Sequence, residues 1–182
     1  VTALLVITLF IYQAKVSGYE GVVHNCGANL LAVLYLGFLS GFVLGIRIDF
    51  GIWPLLMFIF TVKFADIGAF TFGKIFGKHK FSPVISPNKT WEGLFGAVIA
   101  SVLISVIFAA VFNIMSWFWA AVFGAGFAVM GQLGDLAESM FKRDAAKKDS
   151  ASAVPGFGGV LDVIDSTLAT APAAYLFFKI VV

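Results

Sequence analysis

Charge is scarce in this sequence. Lys and Arg number 12 and Asp and Glu 10, so that only 12% of the 182 residues are charged. A soluble domain carries about 25%. So little charge cannot cover a water-exposed surface, and with 60% hydrophobic residues and 21 phenylalanines a soluble globular domain is excluded. Cysteine is nearly absent. Cys26 alone permits no internal disulfide and no metal-ligand spacing, and reads as a lone buried or loop thiol. The opening apolar run, Val1 to Tyr12, is too short for a full membrane span. It also lacks a basic leader and a small-residue cleavage site, and so makes a poor signal peptide. It reads as the cut end of a longer protein's helix, which makes the chain an N-terminally truncated one.

Long apolar runs are what the sequence has instead. Five reach the length that a hydrocarbon core of about 30 Å requires: residues 29–46, 52–70, 94–112, 116–138 and 160–181. The expected fold is all-α, a polytopic helical membrane bundle of five full spans plus the truncated first one. No linker or soluble segment divides it, so 1–182 is read as a single transmembrane catalytic domain. The cations fix an orientation. Lys74, Lys78, Lys80 and Lys89 follow the 52–70 span, and Lys142, Arg143, Lys147 and Lys148 follow the 116–138 span. Span counting puts both loops, and the loop 13–28 with Lys15, on one side, leaving Arg47 and Lys179 on the other. The positive-inside rule makes the basic side cytoplasmic.

Ionisable groups at membrane depth are costly and point to function. Three pairs lie three residues apart, on one helix face each: Lys63 with Asp66, Asp135 with Glu138, and Asp162 with Asp165. Lys63 and Asp66 form either a functional pair or a structural one near the interface, with Lys63 snorkelling to the headgroups. The other two pairs bring four carboxylates to one cytoplasmic face. They would repel one another without the Lys/Arg cluster or a divalent cation. Oxygen ligands of this kind suit Mg2+ or Mn2+, and the lack of a His or Cys cluster argues against zinc.

The stretch from Lys142 to Asp165, KRDAAKKDSASAVPGFGGVLDVID, carries charges at both ends and Pro155, Gly156, Gly158 and Gly159 between them. Cations there suit phosphates, and the glycines let the backbone turn sharply and approach a ligand. It is neither a Walker A loop nor a dinucleotide-binding turn. In the loop 71–93, Thr90 or Asn88 is placed to cap a helix that carries Glu92. A helix start surrounded by lysines makes a natural phosphate site, though basic topology alone would also explain the lysines. His79 reads as a solvated loop residue. Together these features describe a cationic, metal-dependent site facing the cytoplasm and open to the headgroup layer. Such a site suits the joining of a soluble phosphate compound to a phospholipid.

Several motifs then carry a resemblance. Ser139, Lys142, Arg143, Lys148 and Asp149 stand in order before the run Pro155 to Gly159, with Asp162 and Asp165 beyond it. This order closely resembles the signature of the phosphatidate cytidylyltransferase family. So do Gly134, Asp135 and Glu138, and the segment from Ser86 through Lys89, Thr90 and Glu92 to Gly93. Asp66 followed by Gly73, Lys74, Gly77 and Lys78 belongs to the same resemblance, which runs from about residue 66 to residue 166. It implies a multi-span enzyme of the bacterial inner membrane, or of related membranes elsewhere. The implied reaction takes CTP and phosphatidic acid to CDP-diacylglycerol and pyrophosphate with Mg2+. It implies Asp135 and Asp162 as the metal ligands, with Asp165, Lys142, Arg143 and Ser139 beside them in catalysis. Lys148, Asp149, Lys89, Thr90, Asp66, Lys74 and Lys78 are then substrate-binding residues. The signature has His at the place of Phe157 and Arg at that of Val163, so an active chain cannot use that His as an indispensable acid or base.

Nucleic acid is not an expected partner; CTP, phosphatidic acid and the bilayer are, and a homodimer is compatible with the reading. Alternatives keep the CTP chemistry on an isoprenoid phosphate or ether lipid, or make the chain a transporter with carboxylates along its path, or an inactive scaffold. A transporter predicts charges spread through the membrane depth, whereas here they gather at one face.

Overall fold

The computed structural model describes residues 2–16, 18–83, 85–144 and 160–182. Cα proximity groups the chain into two compact units, 1–41 and 42–182.

In the first unit, α1 (Thr2–Val16) is followed by a turn and α2 (Val22–Val33), which passes into a π-helical stretch, Leu34–Phe38. The turn ends on Gly21 at φ +65°, a left-handed backbone that glycine adopts without strain. Buried Gln13 ties the two helices: its amide donates to the Glu20 carbonyl at 2.9 Å, and Asn25 donates to its Oε1 at 3.1 Å. Cys26 is buried and free, as its isolation in the sequence suggested.

The second unit holds most of α3 (Leu39–Asp49), then α4 (Ile52–Phe76), a hairpin of β1 (Lys80–Ser82) and β2 (Ser86–Thr90), α5 (Trp91–Phe112), α6 (Trp117–Asp144) and α7 (Val160–Val181). The strands pair antiparallel, Lys80 opposite Thr90 and Ser82 opposite Ser86. Among the described residues, four helical stretches are long and apolar enough to cross a membrane: Val22–Asp49, Ile52–Phe76, Trp91–Phe112 and Trp117–Ala137. They make the chain an all-α, multi-pass membrane protein. The fifth expected span coincides with α7, a 22-residue helix that carries Asp162, Asp165 and Lys179.

Helix ends depart from the expected boundaries in a consistent way. α4 continues to Phe76 and α6 to Asp144, past the apolar runs expected to end at 70 and 138. α1 reaches Val16, and α2 starts at Val22 rather than 29. A helix needs only backbone hydrogen bonds to continue beyond the greasy stretch, and cations favour its last turn, where Lys15 and Lys74 stand. The expected loop 71–93 is therefore a helix end, a hairpin and a helix start.

Apolar surface gains little from leaving lipid for another apolar surface, so close packing and internal hydrogen bonds must hold the helices together. Phe58, Phe123, Phe178, Ile46, Met57 and Val62 form the fully buried centre. Small residues let the backbones meet. A Cβ on Gly68 of α4 would stand 2.8 Å from Ala100 Cβ and against the Gly96 carbonyl of α5, and one on Gly134 of α6 would stand 2.8 Å from Ala169 Cβ of α7. Ser101 donates to the Thr61 carbonyl at 3.1 Å and Ser105 to the Ala120 carbonyl at 2.7 Å, linking α5 to α4 and to α6. Tyr175 donates to Asp49 at 2.6 Å, joining α7 to the end of α3.

The Gly68 contact gives a test. Gly68→Val should lower the stability of the detergent-solubilised protein by about 1–3 kcal/mol through overpacking. Gly126→Ala, whose new methyl meets nothing within 4 Å, should be neutral or slightly stabilising. Thermal melts followed by size-exclusion recovery compare the two.

Candidate active site

Polar side chains of the second unit converge where the hairpin meets α4 and α6. The convergence begins with local geometry at the start of α5. Thr90 has extended backbone, φ −128° and ψ 156°, and its Oγ1 accepts from the Gly93 amide at 3.1 Å. It is thus the N-cap that the sequence allowed. Thr90 is buried, and glycines make room for it: a Cβ on Gly73 or Gly77 would stand 3.2 Å or 2.9 Å from its Oγ1. Glu92, in the first turn of α5, reaches back to the strand side. It accepts from the amides of Lys78 at 3.2 Å and His79 at 3.3 Å, and its Oε1 lies 2.7 Å from His79 Nδ1. Phe81 packs edge-on to Trp91 with centroids 5.0 Å apart. These contacts fix β2, and with it Lys89, against the helices.

Lys89 Nζ stands 2.8 Å from Asp135 Oδ2 and donates to the Gln132 carbonyl at 3.0 Å. One turn of α6 separates Gln132 from Asp135, so both face the strand. Gln132, itself buried, directs its Nε2 to Asp66 Oδ1 at 3.4 Å. Asp66 in turn is bridged by Lys63 at 3.3 Å and accepts from Ser166 of α7 at 3.2 Å, while Lys63 also donates to Ser166 Oγ at 3.1 Å. The result is one chain of polar contacts across β2, α6, α4 and α7. It lines a cavity of about 480 Å³ whose wall includes Lys63, Asp66, Asn88, Lys89, Gln132 and Asp135, with Phe70 and Phe81 as apolar faces.

The expected site residues fall into three groups. Asp66, Lys89, Thr90 and Asp135 line this cavity. Ser139, Lys74, Lys78 and Asp165 are described but do not line it. Lys74 extends over the Phe70 ring, 5.8 Å from its centroid, and Lys78 contributes its backbone amide to Glu92. Asp165 is 1% exposed and its Oδ1 accepts from the Ser166 amide at 2.6 Å. Lys142 and Arg143 are in the last turn of α6 and Asp162 in the first turn of α7. Their side chains, like that of Glu138, and all of Lys148 and Asp149, lie outside the described residues. His79 is exposed, as a loop residue would be, yet it is held by Glu92.

Three members of the network were not among the expected site residues: Lys63 as part of the site, Gln132 and Ser166. Gln132 did leave a signal, an amide inside an apolar run one helical turn before Asp135. Ser166 left little beyond its place next to Asp165.

The chain matches the cytidylyltransferase family over residues 1–181. It belongs to that family. It is 41% identical over 145 residues to the phosphatidate cytidylyltransferase of Staphylococcus haemolyticus, covering 79% of this chain and 55% of that protein. It is 42% identical over 170 residues to the phosphatidate cytidylyltransferase of Chlamydia muridarum, covering 85% of this chain and 55% of that protein. The Staphylococcus aureus protein of the same name is 40% identical over 145 residues. The chain therefore spans about half the length of the curated relatives it matches. Within this cytidylyltransferase family member, the residues of the resemblance and the residues of the cavity coincide at Asp66, Lys89, Thr90, Gly93 and Asp135.

Donor chemistry bears on a metal. The carboxylates of Asp66 and Asp135 in the cavity wall are hard oxygen donors, the kind that Mg2+ accepts. Among the described residues no three His, Cys, Asp or Glu side chains group as a metal site, so a cation on Asp135 would rely on water, substrate or Asp162 for further ligands. The residues present fit a weakly held Mg2+ of that kind.

Removing the cation from Asp66 is a direct test of the network. Lys63→Met should cost about 3 kcal/mol of stability, since it strands Asp66 as a lone charge inside the bundle, and Lys63→Met with Asp66→Asn should recover most of it by leaving no lone charge. Thermal melts of the wild type, the single variant and the double variant measure this.

Proposed function

We propose that this chain carries the site at which a cytidylyltransferase joins CTP to phosphatidic acid, forming CDP-diacylglycerol and pyrophosphate. The site would face the cytoplasm at the inner membrane of a bacterium. The observation that carries the reading is the coincidence of the resemblance with the cavity: Asp66, Lys89, Thr90 and Asp135 converge on one pocket between apolar helices. The names of the relatives supply the substrates.

In this reading the lipid phosphate oxygen attacks the α-phosphorus of CTP. A new P–O bond forms, the bond from the α-phosphorus to the β-bridging oxygen breaks, and the electron pair leaves with pyrophosphate. Phosphatidate is already anionic near neutral pH, so no strong base is needed. The main barrier is the meeting of two polyanions, which catalysis of this type meets by positioning and charge neutralisation. Mg2+ held by Asp135 and Asp162 would supply positive charge to the nucleotide phosphates. Lys89 and Lys63 supply further ammonium groups in the cavity, and Asn88 and Phe81 offer polar and apolar contacts at its hairpin edge. The apolar outer faces of α4 and α5, with exposed Ile67, Phe70, Phe95 and Leu103, suit acyl chains beside the headgroup.

The full-length protein should form CDP-diacylglycerol from CTP and phosphatidic acid only when Mg2+ is supplied. Asp135→Asn and Asp162→Asn should each lower the rate by at least about 100-fold while leaving the protein folded. Near-normal turnover in Asp162→Asn would sink its assignment as a metal ligand. Preference for an isoprenoid phosphate over phosphatidic acid would move the lipid assignment.

A further inference from the structure

The described charges of the cavity cancel. Lys63 is held by Asp66 and Lys89 by Asp135. Lys89 is the more enclosed of the two lysines, its side chain 14% exposed against 30% for Lys63, while Asp135 is 36% exposed. Lys89 makes a charged contact at 2.8 Å and a carbonyl contact at 3.0 Å, both toward α6. An ammonium bonded in that direction cannot give its full charge to a ligand phosphate. Pulling it away would leave Asp135 as a bare carboxylate facing the incoming anion. The exchange becomes favourable only if another cation takes Asp135 as Lys89 leaves it.

We propose that Lys89 is a displaceable counter-cation. It occupies the cation position of Asp135 until a divalent cation takes that carboxylate, and it then turns its ammonium to a phosphate of the nucleotide. The four-carbon stem of lysine and its rotatable ammonium allow such a swing without backbone movement. The fixed cap at Thr90 and the hairpin hold the stem's origin still. The consequence is thermodynamic coupling. Cation and phosphate each bind better when the other is present, and by the same factor in both directions. The device also keeps Asp135 neutralised between turnovers. It rests on the nucleotide-transfer reading above, and the experiment separates the failure of the two.

Binding of CTP to the full-length protein in detergent is measured by calorimetry in EDTA, for wild type, Asp135→Asn, Lys89→Met and the double variant. Thermal melts check that each is folded, with Lys89→Gln in place of Lys89→Met if the latter is not. Asp135→Asn removes the charged partner of Lys89 without any metal, so it should bind CTP about tenfold tighter than wild type, equivalent to about 1.4 kcal/mol. The gain should vanish when Lys89 is also replaced, which is the signature of a pairwise term. In a second measurement, Mn2+ binding without nucleotide is followed by electron paramagnetic resonance, and Lys89→Met should bind Mn2+ about tenfold tighter than wild type. A gain in CTP affinity that persists in the double variant, or no gain in Asp135→Asn, overturns the exchange while leaving the transferase reading intact. Unchanged or weaker Mn2+ binding in Lys89→Met overturns it as well. A wild-type protein that binds no CTP even with Mg2+ overturns both.

Discussion

A charge inside an apolar helix bundle must find its countercharge within a few ångströms, because neither lipid nor packed side chains will solvate it. That constraint orders the second unit. Lys63 and Asp66 sit on one turn of α4, and Ser166 of α7 bonds both. Lys89 comes from a strand and meets Asp135 of α6, and Gln132 connects the two ion pairs by giving its carbonyl to one and its amide to the other. Four elements are thereby tied together by a few polar contacts. In an environment where apolar burial contributes little between helices, such contacts set relative position as much as they set stability.

Close approach of the backbones makes the network geometrically possible. Lysine and aspartate side chains have fixed reach, and α4, α5, α6 and α7 come near enough only because small residues stand at their crossings. Gly68 meets Gly96 between α4 and α5, and Gly134 meets Ala169 between α6 and α7. The same economy governs the hairpin. Thr90 caps α5, and Gly73 and Gly77 leave space for its side chain, so the strand carrying Lys89 is seated against the end of α4. Glu92 and His79 then close the hairpin from the solvent side.

The parts of this arrangement legible in the sequence were the local ones. Apolar run length revealed the helices, since a span has a minimum length set by the bilayer. Spacing of three revealed Lys63 with Asp66, and capping chemistry revealed Thr90. Helix ends were misplaced because hydropathy marks where lipid contact stops, whereas a helix stops where its hydrogen bonds do. The Lys89 to Asp135 and Ser166 to Asp66 contacts join residues far apart along the chain, and no single-sequence periodicity encodes them. Lys89 was expected to bind substrate and Asp135 a metal, but not to bind each other. Gln132 could have been found by asking why an amide interrupts an apolar helix.

In the described cavity two lysines face two aspartates, and the sum is zero. The proposed substrates are both polyanions, so a neutral cavity alone would give them no net attraction at long range. The stretch from Lys142 to Asp149 carries Lys142, Arg143, Lys147 and Lys148 against Asp144 and Asp149, and its first three residues end the helix that carries Asp135. A division of labour follows for the proposed reaction. The basic stretch would raise the local concentration of nucleotide, an effect weakened by salt, while the neutral network inside would act at short range, by exchange of partners. Salt should then weaken CTP capture far more than it weakens the internal ion pairs, because the Lys89 side chain is largely enclosed and exposed cations are screened first.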